Sequence, residues 1–437
     1  MPKFKTVRGM RDFLPEQARV MRYVEDLARE IAKLYGYKEI ITPIVESYEL
    51  LAAKSGEEIR QRMYAFKDLG GRKVALRPEF TASIARLVAT TLRNEPKPLR
   101  LFCVGSLYRY DEPQLGRYRE FWQSNFELIG SNRPEADAEI LTLTNDLMKR
   151  IGLENYWFKI GHMGILRGIL TKEGVEEEKQ NSIMQKLDKK LWDEALRMLE
   201  SLKVSKNCLE TLRNLIKVKG RKISETMDRI RKNVKNYEEA LVATENLEEI
   251  LNITFTSGTK FEVSIEPAFA RGLEYYTGMI FEVFVPELEI ALGGGGRYDR
   301  LIELFGGEPT PAVGVAHGID RITLAMEKQR IKPKIQKEPL VFVIPIDDAL
   351  KAKALELASQ LRLKGINVEV EVMGRKLTRA LQDADRRGAT HAIIVAPREL
   401  KEGKVVFRNM QLRVQKAIEI ENLLKEIQES YGRISAS

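Results

Sequence analysis

The first predicted elements come from the spacing of apolar residues near the start of the chain. Between positions 16 and 35 apolar residues recur at intervals of three and four, which predicts an amphipathic helix ending before Gly36: Val20, Val24, Leu27, Ile31 and Leu34. The next stretch, 37–46, is rich in β-branched residues and predicts a strand. Pro43 places that strand at a sheet edge or a bulge, because proline cannot donate a ladder hydrogen bond.

Alternating apolar and polar residues predict two hairpins further along. Residues 63–69 and 73–76 form a short one around two glycines, and residues 101–130 form a long one whose loop is dense in charge. Gln123 and Glu127 on the returning strand are four positions apart, so they share one face of the sheet. Polar residues on that face indicate a lined cavity.

The middle of the chain switches between helical and strand-forming patterns. Residues 137–151 predict a capped helix, and 165–256 predict long charged helices with few strand signals. Residues 263–299 then predict strands around a bend that carries Arg271, Gly272 and two tyrosines, followed by a run of four glycines. Residues 311–327 predict a strand of small residues that runs into a helix.

A Lys/Pro-rich linker at 331–338 precedes a regular alternation of strands and helices. Two helices, 348–364 and 376–387, each end at a glycine between apolar strands, and this βαβαβ pattern predicts a mostly parallel sheet. No glycine-rich phosphate-binding motif follows the strands, so nucleotide binding is not expected there.

Composition narrows the class of protein. A chain of 437 residues with 43% apolar and 31% charged residues predicts two or three globular domains. We expect no membrane partner, because no apolar run approaches the ~20 residues of a membrane span. The first ten residues lack the apolar core of a secretory signal, and the two cysteines, Cys103 and Cys208, are expected to be reduced, so we expect a cytoplasmic location.

Charge favours a polyanionic partner. The net charge is +9, and residues 331–437 hold 20 Lys and Arg against 14 Asp and Glu, a net of +6. The sequence has few residues suited to nucleophilic catalysis or to a protein-bound metal, since the three histidines form no recognisable motif with cysteines or acids. Arginines on strands and carboxylates near a cavity instead suit phosphoanhydride chemistry.

Several ordered motifs carry a family resemblance. They are L-R-P-E-F-T-A (76–82), the charged hairpin (108–127), R-G-L-E-Y-Y-T-G (271–278), G-G-G-R-Y-D (294–299) and the strand–helix ending in G-I-D-R (318–321). Together they resemble the histidyl-tRNA synthetases, which are class II aminoacyl-tRNA synthetases; the third and fourth motifs are peculiar to that family.

The resemblance implies an α+β fold: an antiparallel-sheet class II synthetase catalytic core with a helical insertion, and a C-terminal α/β anticodon-binding domain. The implied domains are the first part of the core (1–164), the insertion (165–257), the second part of the core (258–330) and the anticodon-binding domain (331–437). The implied reaction activates L-histidine with ATP and Mg²⁺ and transfers it to the 3′ end of tRNA(His). The family also implies a homodimer, with no metal ligand assigned on the protein.

The resemblance also implies residue roles. The catalytic residues would be Arg271, Arg109 and Arg321, with Arg271 bridging the histidine carboxylate and the α-phosphate. The histidine pocket would comprise Glu79, Thr81 and Gln123 on the α-ammonium group, Glu127 and Tyr276 on the imidazole nitrogens, and Tyr275, Gly294 and Gly295 nearby. The ATP-binding residues would be Arg109, Asp111, Tyr118 and Arg321.

The sequence departs from the family's usual motif at one place, and two alternative functions stay open. The family usually has Arg-x-Glu-Arg-Pro where this chain has Arg109-Tyr110-Asp111-Glu112-Pro113, which leaves the contacts of that loop open. One alternative is a catalytically inactive synthetase-like regulatory subunit of histidine biosynthesis, although Arg271 with both tyrosines and the basic terminal domain argue against it. The other is a plain RNA-binding module, which would not need Glu79, Gln123 and Glu127.

Overall fold

The computed structural model describes residues 4–53, 56–271, 274–334 and 339–434. Gly272 and Leu273, within the R-G-L-E motif, lie outside the described residues. The chain divides into two compact units, residues 1–333 and 334–437. No helix in these described ranges has the length and apolar character needed to cross a membrane.

The first unit combines eleven strands and thirteen helices in its described part. The strands are β1 (Lys38–Glu39), β2 (Val45–Ser47), β3 (Ala65–Lys67), β4 (Lys73–Leu76), β5 (Leu99–Tyr108), β6 (Glu120–Ile129), β7 (Trp157–His162), β8 (Glu262–Ile265), β9 (Met279–Phe284), β10 (Gly293–Arg297) and β11 (Ala312–Gly318). The helices are α1 (Pro15–Leu34), α2 (Tyr48–Ala52), α3 (Gly56–Gln61), α4 (Thr81–Ala89), α5 (Pro134–Ile151), α6 (Met163–Lys172), α7 (Glu177–Asp188), α8 (Trp192–Ser201), α9 (Lys206–Lys217), α10 (Ile223–Val234), α11 (Glu238–Thr256), α12 (Leu301–Leu304) and α13 (Ile319–Lys328).

Eight of these strands form one sheet in the order β1-β5-β6-β11-β10-β9-β7-β8. Every neighbouring pair is antiparallel except the two at the edges, β1 with β5 and β7 with β8. The antiparallel core expected from the sequence is therefore confirmed. The long hairpin, β5 with β6, and the glycine strand, β10, both lie inside this sheet.

The stretch 37–46, expected as one strand interrupted by Pro43 at a sheet edge or a bulge, does lie at sheet edges, but it is not one strand. The stretch forms two short strands in different sheets: β1 is an edge of the large sheet, and β2 pairs with β4 in a three-stranded sheet completed by β3. The carbonyls of Thr42 and Pro43 accept hydrogen bonds from Arg77 at 2.7 and 3.4 Å. Pairing with the large sheet ends with a hydrogen bond from the N–H of Ile40 to the carbonyl of Phe102, before the proline, and Arg77 satisfies the carbonyls of Thr42 and Pro43.

The helices of residues 163–256 share the hydrophobic core of the sheet. Leu166 and Leu247 belong to the same buried cluster as Leu141 on α5 and Phe158 on β7. The charged residues that dominated the sequence pattern therefore cover only the outer faces of these helices. The extent of the insertion as a domain of its own, 165–257, stays a prediction.

The second unit has a five-stranded sheet with helices on its faces. Its elements are β12 (Leu340–Pro345), α14 (Lys351–Arg362), β13 (Asn367–Val370), α15 (Leu377–Arg386), β14 (His391–Val395), α16 (Pro397–Lys401), β15 (Lys404–Asn409), β16 (Gln415–Glu419) and α17 (Leu423–Ile434). The strands β13, β12 and β14 are parallel, as the βαβαβ pattern predicted. The antiparallel pair β15 and β16 was missed by the sequence analysis.

Candidate active site

Segments far apart in the chain converge on one cavity of about 320 Å³ in the first unit. Its walls come from the start of α4, the β5–β6 hairpin, the bend after Arg271, strand β10 and the β11–α13 junction. All but one of the residues singled out from the sequence line it: Glu79, Thr81, Arg109, Asp111, Tyr118, Gln123, Glu127, Arg271, Tyr275, Tyr276, Gly294 and Arg321.

The exception is Gly295, which does not line the cavity. A Cβ on Gly295 would lie 2.0 Å from the carbonyl oxygen of Gly314 on the neighbouring strand. Its lack of a side chain therefore serves the close approach of β10 to β11. A Cβ on Gly294 would instead lie 2.2 Å from Nη1 of Arg271, so this glycine leaves room for the guanidinium.

Glu127 is a buried carboxylate held by hydroxyl groups. It is 1% exposed, and its two oxygens accept hydrogen bonds from Thr81 at 2.8 Å and from Tyr298 at 2.6 Å. Burial disfavours the anion and raises the pKa of Glu127 to about 7, although these hydroxyl donors act in the opposite direction. Near neutral pH this carboxyl group is poised between its two protonation states.

Glu79 is the second buried carboxylate of the cavity. It is 6% exposed, and one oxygen accepts a hydrogen bond from the hydroxyl of Tyr275 at 3.0 Å. Burial raises the pKa of Glu79, and the positive charge of Arg109 partly offsets this rise. Tyr275 was expected only to pack near the pocket, and the structure gives its hydroxyl group this polar contact as well.

Arg271 lines the same cavity as the two carboxylates. Its Nη1 donates to the carbonyl of Phe281 at 3.1 Å, and its guanidinium carbon lies 5.5 Å from the ring centre of Tyr276. The rings of Tyr275 and Tyr276 are 4.8 Å apart. A fixed guanidinium beside two phenols and two acids suits a zwitterionic substrate that carries both charges.

Two further arginines are held by backbone carbonyls at the same cavity. Arg109 donates to Pro78 at 2.9 Å, and Arg321 donates to Gly116 at 3.1 Å and to Ala291 at 2.8 Å. Burial lowers the pKa of Arg321 to about 10, and the nearby positive charges of Arg109 and Arg117 add to this effect. Cations crowded in this way favour a polyanion such as a triphosphate.

The unusual Asp111-Glu112 pair has a structural explanation. Asp111 forms an ion pair with Arg62 at 3.0 Å beside the cavity, and Glu112 forms an exposed pair with Arg8. The two acids therefore bind arginines from other parts of the chain. Glu112 occupies the position where the family usually has the second arginine, and its pair with Arg8 is exposed at the surface.

Sequence reasoning assigned no role to several polar residues of the cavity, among them Asn125, Glu282 and Asp320. Asn125 lies between Gln123 and Glu127 on β6, and its Oδ1 is buried without a hydrogen-bond partner in the described part of the chain. The two-residue period of a strand would have placed Asn125 on the same face. The bond from Tyr298 to Glu127 could not be foreseen, since it depends on the order of β6, β11 and β10 in the sheet.

His317, which stands directly before the G-I-D-R motif, is packed in the core and does not face the cavity. It is fully buried, its Nε2 lies 3.1 Å from the hydroxyl of Thr144, and it is absent from the cavity lining. Burial lowers the pKa of His317 to about 3, so the ring is neutral. In the described ranges, no group of three or more His, Cys, Asp or Glu residues could hold a metal ion.

Comparison with known proteins gives consistent results over nearly the whole length. A family model described as histidyl-tRNA synthetase matches residues 9–322, and one described as an anticodon-binding domain matches residues 340–430. The histidine–tRNA ligase of Methanocaldococcus jannaschii is 44% identical over 96% of this chain and 98% of its own, and that of Pyrococcus abyssi is 39% identical over 97% and 98%.

Solved structures agree with this similarity. Histidyl-tRNA synthetase from S. aureus in its apo form has a TM-score of 0.68 at 27% identity, covering 97% of this chain and 99% of that one. A Bacillus halodurans protein described as an ATP phosphoribosyltransferase regulatory subunit/histidyl-tRNA synthetase has a TM-score of 0.76 at 28% identity, covering 90% and 98%.

Proposed function

Since the chain belongs to the histidyl-tRNA synthetase family, we propose that the cavity around Arg271 is where histidine is activated by ATP and passed to tRNA. Curated archaeal relatives at 38–44% identity over nearly the full length support histidine–tRNA ligase function, and the chain is an aminoacyl-tRNA synthetase. The observation that carries the site assignment is the meeting of Arg271, Glu79 and Glu127, which three separate segments deliver to one cavity.

The reaction consists of two displacements. A carboxylate oxygen of histidine attacks the α-phosphorus of ATP, which forms histidyl-adenylate and releases pyrophosphate. The terminal ribose hydroxyl of tRNA(His) then attacks the activated carbonyl carbon and releases AMP. In both steps the protein holds the reactants in line and stabilises negative charge as it develops.

Arginines at one side of the cavity would bind the phosphates. Arg109 and Arg321, fixed by backbone carbonyls, would hold the α- and γ-phosphates, with Asp111 and Tyr118 beside the nucleotide. Arg271 would bridge the histidine carboxylate and the α-phosphate. Because Gly294 leaves space for the Arg271 guanidinium, this group is preorganised and needs no rearrangement as charge forms.

Acids and hydroxyls at the other side would bind the histidine side chain and ammonium group. Glu79, Thr81 and Gln123 would receive the α-ammonium, with Tyr275 orienting Glu79. Glu127 and Tyr276 would bind the imidazole nitrogens, with Tyr298 orienting Glu127. A substrate without ring nitrogens would leave this buried carboxylate unpaired, and such a loss discriminates strongly between amino acids.

Mg²⁺ would enter with the nucleotide. It favours octahedral oxygen ligands and is usually held by one or two carboxylates together with substrate phosphates. Asp111 and Glu282 line the cavity and would supply one or two carboxylate ligands, while the phosphates would supply further oxygen ligands. Mg²⁺ would neutralise phosphate charge, and the protein groups named above would position the substrates.

The regulatory-subunit alternative is less supported. The B. halodurans neighbour carries that description beside the synthetase one, but the curated relatives are named histidine–tRNA ligases. The polar cavity is also complete, since Arg271, both tyrosines and both carboxylates are present in it. A protein without catalysis would not need this set.

We further propose a homodimer that works in the cytoplasm, where its tRNA substrate is used. Apolar side chains around the three-stranded sheet support the dimer: Ile41 is 93% exposed, and Ile44, Val45 and Phe66 are also exposed. Several exposed apolar side chains in neighbouring parts of the chain favour an interface there. Light scattering should give about twice the 50.0 kDa chain mass, and a monomer at micromolar concentration would contradict the proposal.

ATP–pyrophosphate exchange against a panel of amino acids tests the function. Exchange should depend on L-histidine and should be absent with histidinol, which lacks the attacking carboxylate. Charging of tRNA(His) transcripts should then follow in the same preparation. Exchange with another amino acid, or none with histidine, would refute the assignment.

A further inference from the structure

The N-terminal segment, residues 8–13, lies across the loop that joins β5 to β6. The carbonyl of Gly9 accepts a hydrogen bond from the backbone of Arg119 at 2.9 Å, and the ring of Phe13 packs edge-on against Trp122 with centroids 5.3 Å apart. Gly9 has a φ of +84°, and a Cβ there would lie 2.7 Å from the side chain of Arg119. The segment is thus fitted closely to the loop at Gly9 and to the start of β6 at Phe13.

Arg11 lies between those two attachments and contacts two elements of the cavity wall. Its guanidinium carbon is 3.2 Å from the ring centre of Tyr118 on the loop. The same guanidinium forms an ion pair with Asp320 in the first turn of α13, directly before Arg321. Arginine suits this place because its planar group can stack on a ring and pair with a carboxylate at once.

Asp320 connects these contacts to the sheet. Its side chain is 4% exposed, and its second oxygen accepts a hydrogen bond from the backbone of Trp122, near the start of β6, at 2.6 Å. Without Arg11 this buried carboxylate would lose its cation, which is costly in a poorly solvated position. Arg11 therefore fixes the position of α13 relative to β6 through Asp320.

We propose that Arg11 is a positioning residue for the nucleotide half of the active site. Tyr118, Trp122, Asp320 and Arg321 all line the cavity, whereas Arg11 does not, so Arg11 acts through its neighbours. It holds Tyr118 in place by stacking and holds Arg321 in register through Asp320. This inference rests on the proposed function, and it predicts a specific effect on ATP, because Arg11 stacks on Tyr118 and pairs with Asp320, both on the nucleotide side of the cavity.

Substitution of Arg11 by methionine or lysine tests the role in ATP–pyrophosphate exchange. Arg11→Met keeps the apolar stem and should lower kcat/KM for ATP by roughly 10- to 100-fold, the scale expected when reacting groups are slightly misplaced. The KM for histidine should stay within about twofold. Arg11→Lys keeps the charge but not the planar stacking, so it should recover part of the loss.

Arg8→Met is the matched control. Arg8 belongs to the same segment and pairs with Glu112, but both side chains are exposed, at 71% and 73%, so this change should leave the kinetics for ATP unaltered. A double-mutant cycle with Asp320→Asn adds a second readout. If Arg11 acts through Asp320, Arg11→Met should cost less in the Asp320→Asn background than in the wild type.

Three results would overturn the inference. They are unchanged kinetics for ATP in Arg11→Met, equal losses for ATP and histidine accompanied by a lower unfolding temperature, and full additivity in the cycle. If Arg11→Met fails to fold, the kinetics of Arg11→Lys for ATP and for histidine are compared instead. A loss confined to ATP supports the inference, and no loss or an equal loss for both substrates overturns it. Absence of histidine-dependent exchange in the wild type would instead refute the proposed function.

Discussion

Glu127 illustrates how the site depends on the environment of single residues. The groups that hold its carboxylate, Thr81 and Tyr298, are neutral hydroxyls, and among the described residues no cation is hydrogen-bonded to it. Such an arrangement is unfavourable for the free protein. It becomes favourable when a substrate brings a hydrogen-bond donor or a positive charge, which the imidazole of histidine does.

This cost leads to a pH-dependent prediction for Glu127→Gln. The folded protein holds the Glu127 proton up to a pKa of about 7, while the ordinary value is 4.5. The wild type therefore binds more protons when folded between these values and loses stability as pH rises through that window. Between pH 5 and pH 8 the wild type should therefore lose about 2–3 kcal/mol of unfolding free energy relative to Glu127→Gln, at about 1.4 kcal/mol per pKa unit.

Urea unfolding of both proteins at pH 5 and pH 8 measures this difference. The same variant should raise the KM for histidine more than the KM for ATP. A difference in stability that stays constant with pH would show that Glu127 is not buried as an anion.

Arg271→Ala is expected to affect the chemical step. Its guanidinium is preorganised beside Gly294 and donates to Phe281, so its loss removes a fixed charge where negative charge develops. We expect exchange to fall by roughly two to three orders of magnitude. Arg300→Ala, an exposed arginine of the same part of the chain, is the control; a similar loss in both variants would argue against a specific role for Arg271.

Strands β10 and β11 contribute glycines to the wall of the cavity, namely Gly293, Gly294 and Gly314. Gly314 is paired with Glu127 on one side and Gly296 on the other. A Cβ on Gly314 would lie 1.6 Å from Oε2 of Glu127, so the glycine provides the space that the carboxylate occupies. The glycine-rich strand thus determines where the acid can point.

Gly314→Ala should therefore displace Glu127. We expect the KM for histidine to rise about tenfold or more, since the carboxylate would leave the imidazole position, while the KM for ATP should change little. The comparison of the two KM values in exchange assays separates this effect from general damage to the sheet. Equal changes for both substrates would show that the alanine acts only by disturbing the strand pairing.

The helices and strands also show which features can be predicted from local sequence. Local periodicity predicted α1, the β5–β6 hairpin and the β11–α13 junction, because neighbouring residues determine these elements. It failed at 37–46, where the choice between two sheets depends on Arg77, 35 positions away from Thr42. The placement of Gly295 failed for the same reason, since only the pairing of β10 with β11 shows what each glycine faces.

At the scale of the whole molecule, the expected separation of amino-acid activation from tRNA binding follows the two units, each of which has its own buried core. The buried cluster of the first unit includes residues up to Met326, with Ile331 packed against it, and the clusters of the second unit begin with Val341 and Phe342. The cavity and its arginines belong entirely to the first unit. Two-thirds of the net positive charge belongs to residues 331–437, which are expected to bind tRNA.

A chain ending at Pro333 should therefore retain amino-acid activation and bind tRNA(His) more weakly. We expect histidine-dependent ATP–pyrophosphate exchange to stay within a few-fold of the full chain, because every residue of the cavity lies before the cut. The KM for tRNA(His) should rise roughly 10- to 100-fold, and its dependence on salt should weaken as phosphate contacts are lost. If exchange disappeared in a truncated protein that unfolds cooperatively, the second unit would be needed for activation itself, and the separation of roles argued from the two cores would be wrong.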